Sequence, residues 1–177
     1  EKLFRCCLLT KKLGGITVED GRLMREEKRL IVQLIPKPLW GRAGREAVGK
    51  YKWDKIRKEI YRMAGYRCEV CGGKGHQHPV EAHELYLFEN GKITCVGVIA
   101  LCPQCHRSVH PGRCNCLGRD IYLQARENLA KVNNISIDAA QHYYEECFVE
   151  WRELSKFTQW EMDFSWLDKF YEDLKNG

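Results

Sequence analysis

Cys68-Glu69-Val70-Cys71 and Cys102-Pro103-Gln104-Cys105 are two thiol pairs at the same short interval, separated by residues 72–101. Each C-x2-C turn can present two sulfurs from one side, so the two together can close a tetrahedral Zn²⁺ site. Four unrelated core cysteines would not fall into two equal intervals with Gly72-Gly73 directly after the first. A redox disulfide within a pair is the competing chemistry. It calls for one such pair beside a βαβ pattern, and the sequence has two pairs and no such pattern. The gap between the pairs exceeds what a compact zinc ribbon needs and leaves room for a β-hairpin.

Three histidines form a second group. His106 and His110 stand four residues apart, on one face of a short helix. His83 lies on the strand expected to face that helix, so a metal held between strand and helix is within reach of all three. The elements that must position these residues can be read on either side. Val80–Phe88 and Lys92–Leu101 read as strands turned at Asn90-Gly91. Cys102–His110 reads as a short helix stopped by Pro111-Gly112. Before them, Trp53, Ile56, Ile60 and Met63 share one face of a helix over Trp53–Ala64, closed by Gly65. After them come helices over Asp120–Val132, over Ile137–Lys156 with Ser136 as N-cap, and from Ser165 onward with Asp168 at capping-box spacing. Near the start, Lys2–Leu9 and Glu27–Ile35 read as strands, ended by Pro36 and Pro38.

The segments CEVCGG, EAHE and GVIALCPQCHRSVH resemble the HNH nucleases, the ββα-metal or His-Me finger group, in their zinc-stapled form. The resemblance is clearest from Cys68 to His110 and looser from Trp53 to about Trp166. It implies an endonuclease that hydrolyses phosphodiester bonds in DNA. By matched position it makes His83 the general base, and His106 and His110 the ligands of a divalent ion such as Mg²⁺ or Mn²⁺. Zn²⁺ on the four cysteines would be structural. The family's Asp or His before the base is Ala82 here, and its motif Asn corresponds to Gly97. Those two positions favour the alternative, a zinc-stabilised module without catalysis that binds nucleic acid or a protein, as a phage or defence-system factor would.

The fold class expected is α+β, with a treble-clef-like ββα finger at its centre. The expected organisation is an N-terminal strand pair and basic connector over 1–50, the zinc-bound domain over 51–118 and a helical region over 119–177. The net charge of +5 is unevenly spread. Arg22–Arg62 is strongly basic and Glu145–Lys175 acidic, a split that suits a polyanion on one side and a basic protein partner on the other. Arg42, Arg45, Lys50, Lys52, Lys55, Arg57 and Lys58 are the candidate phosphate contacts. A solvated face is the competing reading for each. No apolar run approaches the ~18 residues of a membrane span, and Leu3–Leu9 is too short for a signal peptide. With no sign of secretion, the cytoplasm of a bacterial or phage-infected cell is the expected location. Composition excludes disorder throughout, at 44% apolar and 11% aromatic residues. Cys6, Cys7 and Cys147 read as core side chains, as do Trp151, Trp160 and Trp166. His76 and His78 read as loop residues. Cys95, Cys114 and Cys116 could form a further metal site with His110.

Overall fold

The computed structural model describes residues 29–176, together with the backbone of 16–19 and 22–25. Within these residues the chain is α+β, with seven helices, a three-stranded sheet and a separate hairpin. The hairpin pairs β1 (Ile16–Glu19) with β2 (Arg22–Arg25). The expected strand over Lys2–Leu9, with Cys6 and Cys7, lies outside the described residues.

The expected strand over Glu27–Ile35 is corrected over its described part, since residues 29–36 take no regular structure. The apolar pattern there is real, with Leu30 and Val32 buried. The backbone is satisfied by side chains instead of a ladder. Asn133 accepts from Leu30 N at 2.8 Å and donates back to Leu30 O at 3.0 Å. Tyr143 Oη accepts from Val32 N at 3.0 Å. Pairing of this kind meets the hydrogen-bond demand of a buried segment without a neighbouring strand.

Two short helices follow, α1 (Arg45–Val48) and α2 (Lys50–Met63). Gly65 and Tyr66, both at positive φ, terminate α2. The hairpin of β3 (Glu81–Glu89) and β4 (Lys92–Leu101) turns at Asn90-Gly91. Both turn residues have positive φ, as a two-residue hairpin turn of this twist requires. Val96 has no opposite number, because the register shifts between Leu85 and Tyr86. The short β5 (Glu161–Asp163), which the sequence reading missed, lies parallel to the start of β4.

Next come α3 (Pro103–Ser108) and α4 (Pro111–Leu117). Pro111 does not simply stop the first of these. It occupies the first turn of the second, where its missing N–H costs nothing. α5 (Arg119–Asn133), α6 (Ile137–Leu154) and α7 (Ser165–Asn176) complete the chain. Ser136 caps α6 as expected, accepting from Ala139 N at 3.0 Å. At α7 the cap is Asp163, which accepts from both N and Oγ of Ser165, while Asp168 pairs with Lys52.

The β3–β4 hairpin separates two cores. On one face Leu85, Ile99 and Leu101 pack with Val109, Leu129 and Tyr144 of the later helices. On the other Tyr86, Val98 and Ala100 pack with Ile56 and Ile60 of α2 and Leu167 of α7. Cys147 is buried as expected; Trp151, Trp160 and Trp166 sit half-buried at the margins. No helix among the described residues is long and apolar enough to cross a membrane.

Candidate metal centres

Two knuckles build the sulfur site. In the first, Gly72 N bonds back to Cys68 O and Cys68 N reaches Gly73 O, each at 2.9 Å. Gly72 has φ +73°, a conformation a β-carbon disfavours. Glu69 clamps this knuckle to the end of β4, through its N on Ala100 O and its carboxylate on Ala100 N. The second knuckle leads from β4 into α3, with Cys102 at the N-cap and Cys105 in the first turn. The sulfurs of Cys68, Cys71, Cys102 and Cys105 thus lie within 4.8 Å of one another, positioned to bind a metal such as zinc. A hydrogen bond between the Cys68 and Cys105 thiols pulls the Cys68 thiol down, and that bond together with burial holds Cys105 up. Backbone N–H groups of Cys71 and Gly73 approach the sulfurs at 3.5 and 3.4 Å, and Asn128 Nδ2 approaches Cys105 Sγ at 3.8 Å. Such donors stabilise the thiolate charge that a metal needs.

The second centre draws on three places in the chain. His83 points from β3, His106 from α3, and His110 stands where α3 ends and α4 begins. One ring nitrogen from each falls within 4.8 Å of the others. The ring centroids lie 4.7, 5.0 and 5.4 Å apart, close to an equilateral triangle. His106 Nε2 and His110 Nε2 face each other at 3.1 Å. Burial, with the charges of His106 and Arg113, pushes His110 down to about 4, so its imidazole is neutral near pH 7.

Sequence reasoning missed Glu81, and strand alternation alone sets Glu84 on the face opposite His83. Glu81 takes His106 Nδ1 on one oxygen and His78 Nε2, at 2.7 Å, on the other. With Nδ1 held by Glu81, His106 turns Nε2 toward the centre, as a metal-binding imidazole usually does when a carboxylate takes its other nitrogen. The signal was available: Glu81 is two residues from His83 and therefore on the same face of the strand. His106, then His78, hold the Glu81 carboxyl down at about 2.

Glu84 belongs to the other face but reaches the same cleft around the free edge of β3. Ala43, Gly44, His83, Glu84 and His110 line it together. A β-carbon on Gly44 would stand 2.2 Å from Glu84 Oε1, so the carboxylate packs directly against this glycine. Burial raises the Glu84 carboxyl, against the pull of the Arg45 N–H.

The other candidates separate. Cys114 Sγ bonds to Arg107 O at 3.3 Å, Cys95 is buried elsewhere and Cys116 is exposed. Among the described residues these cysteines join no metal-holding group. Of the basic candidates, Arg45 pairs with Glu46, Lys52 with Asp168, and Arg57 and Lys58 with Asp54. Arg42, Lys50 and Lys55 are exposed and enter no ion pair among the described residues. Comparison with family models, with curated proteins and with solved structures finds no match to this chain.

Proposed function

We propose that this chain hydrolyses phosphodiester bonds in nucleic acid, DNA first, using a divalent ion on its three histidines. The observation that carries the reading is one cluster. Three imidazoles converge, and two of them, His83 and His110, line a cleft that Ala43, Gly44 and Glu84 also line. A purely structural site closes with four ligands, as the sulfurs do, whereas three imidazoles leave a position for water or substrate. The β3–β4 hairpin followed by α3 agrees with a ββα finger, and the HNH resemblance supports the same chemistry.

The donor set modifies what the resemblance implies. Imidazole nitrogen suits Zn²⁺, Ni²⁺ or Co²⁺, while Mg²⁺ and Mn²⁺ prefer oxygen. A divalent ion there supplies Lewis acidity toward the phosphate and its leaving oxygen. In this arrangement His83, His106 and His110 hold the ion, and Glu81 fixes the ring of His106. Glu84 is the one carboxylate lining the cleft, and its place makes it the acceptor for a proton from an attacking water. His83 is then a ligand and not the base that the resemblance implies. The alternative of a non-catalytic binding module draws on Ala82 and Gly97. Ala82 packs among apolar side chains and Gly97 pairs with Leu85, and neither carries a functional group.

Plasmid nicking and metal content test both points together. Wild type should carry zinc on the cysteines and nick DNA when Zn²⁺, Ni²⁺ or Co²⁺ is added, and less with Mn²⁺. His106→Ala should lose the second ion and the nicking but keep the sulfur-bound zinc. His83→Ala should lose the second ion as well; retention of that ion with loss of nicking would restore His83 as the base. Wild type that cuts nothing under any ion would overturn the hydrolytic reading and leave the binding module.

A further inference from the structure

Trp40 combines two properties that rarely occur together, a fixed ring and an open face. Its Nε1 donates to Ile35 O at 2.8 Å, and Trp151 Nε1 donates to that same carbonyl at 3.0 Å. The two indoles stack at 6.3 Å with their planes 20° apart. Trp40 is nevertheless 61% exposed. The fold has therefore already spent the rotamer freedom of a large aromatic side chain while leaving much of it in water.

Its neighbours are cationic. Arg42, two residues on, is exposed and unengaged by any ion pair among the described residues. Lys37 holds its ammonium 5.1 Å from the Trp151 ring. The one acid exposed between residues 37 and 55, Glu46, is neutralised by Arg45 at 2.8 Å. The loop then runs from Trp40 into Ala43 and Gly44, the wall of the histidine cleft. Four residues span at most about 14 Å, so platform, free cation and cleft wall lie within a few nucleotides of each other.

We propose that Trp40 is a stacking platform for an unpaired nucleobase, and that the nucleic acid held here is single-stranded or locally unpaired. An aromatic face beside a cationic track is how sequence-tolerant single-strand binding is built. A duplex keeps its base faces inside and offers this loop only phosphates. A protein partner could also use a tryptophan and an arginine, but the nearest cations after Trp40 that enter no ion pair among the described residues, Arg42 and Lys50, favour a polyanion, while Glu153 beside Trp151 is held by Lys156 at 2.6 Å. The inference rests on the nucleic-acid part of the reading above and not on hydrolysis.

The test is binding without added divalent ion, at fixed low salt, by anisotropy of a labelled oligothymidine. The same strand with abasic sites and a blunt duplex serve as comparisons. Wild type should bind the base-bearing strand at least about 5-fold tighter than the abasic one, the lower end of what one stacked base contributes. Trp40→Ala should erase that ratio, and Trp40→Phe should keep most of it. Equal affinity for base-bearing and abasic strands in wild type overturns the proposal, as does a preference that Trp40→Ala leaves intact. Should Trp40→Ala not fold, the abasic comparison in wild type still decides. Base-dependent binding with no cleavage under any ion would sustain this inference while ending the hydrolytic reading. Cleavage with base-independent binding would do the reverse.

Discussion

Cys105 and His106 are neighbours in the chain, yet they serve sites of opposite character. The sulfur site is assembled from two local turns, clamped together by Glu69 on the end of β4. All four donors are thiols, and N–H groups point at them from within the knuckles. The histidine site takes one residue from a strand, one from a helix and one from a helix junction, with Glu81 behind His106 and a cleft, lined by Glu84, beside His83 and His110. A site made of local turns needs little besides its own chain. A site made of three elements exists only when strand register and helix placement are already fixed. The sulfur site sets the start of α3, and so stands upstream of the nitrogen site in construction.

The largest effect should therefore come from Cys105→Ser. Structural zinc of this kind contributes about 10–16 kcal/mol to small domains. Its loss should abolish zinc binding, remove the cooperative thermal transition and, with it, any second ion. Metal content by mass spectrometry and a calorimetric scan check this. Soluble, zinc-free Cys105→Ser with an unchanged midpoint would break the comparison at its root.

A smaller effect should separate the two sites. Glu81→Gln leaves every sulfur contact in place but replaces the carboxylate behind His106. Removal of a carboxylate that orients a ligating imidazole weakens metal binding by roughly 10- to 100-fold. Calorimetric titration of Zn²⁺ or Co²⁺ should show that loss at the second site, with the tight zinc unchanged. The pH dependence has a definite sign. Glu81 has a folded value near 2, below its unfolded value. Its contribution to stability is full above the unfolded carboxylate range and fades as pH falls toward 2. His110, pushed down to about 4 by burial, costs nothing while neutral above about 6.5; as pH falls from there toward 4 the unfolded chain takes up a proton that the folded state does not, and stability falls. In metal-free Glu81→Gln the lower limb should flatten and the upper one persist. An unchanged acid profile would mean that Glu81 is not held by His106 in solution.

The same contrast explains what could be read from the sequence. The thiol spacing is a local signal, and all four ligands were legible. The hairpin was legible through Asn90-Gly91, and α6 through Ser136. The clustering of His83, His106 and His110 was legible because strand and helix periodicities each put them on one face. Glu81 was not found, because its role depends on how α3 folds over β3, and Glu84 was set on the face opposite His83, because strand alternation does not show that it lines the same cleft. The segment over residues 29–36 misled for a related reason. Its apolar alternation is that of a strand, but its partners are Asn133 and Tyr143, more than a hundred residues away. The basic residues could be counted but not sorted, since their pairing with Asp54 and Asp168 is set by helix geometry and by α7.

The smallest predicted effect tests whether the two sites share one rigid support. Asn128 of α5 donates to Ser108 Oγ at 2.9 Å and approaches Cys105 Sγ at 3.8 Å. Ser108 is fully buried, and its hydroxyl already donates to Gln104 O at 2.9 Å, so Asn128 satisfies its acceptor side. Asn128→Ala should cost about 1 kcal/mol, the usual net worth of one such hydrogen bond. In a chain of this size that lowers the thermal midpoint by roughly 2–4 °C. Because α3 carries both Cys105 and His106, a loosened α3 should weaken zinc at the sulfurs and the second ion at the histidines by similar factors, each about 5-fold or less. Competition titrations with a chromophoric chelator measure the two sites separately. A loss confined to the sulfur site would show that Asn128 acts only through the N–H on Cys105, and that the histidine site is held by β3 and Glu81 without help from α5.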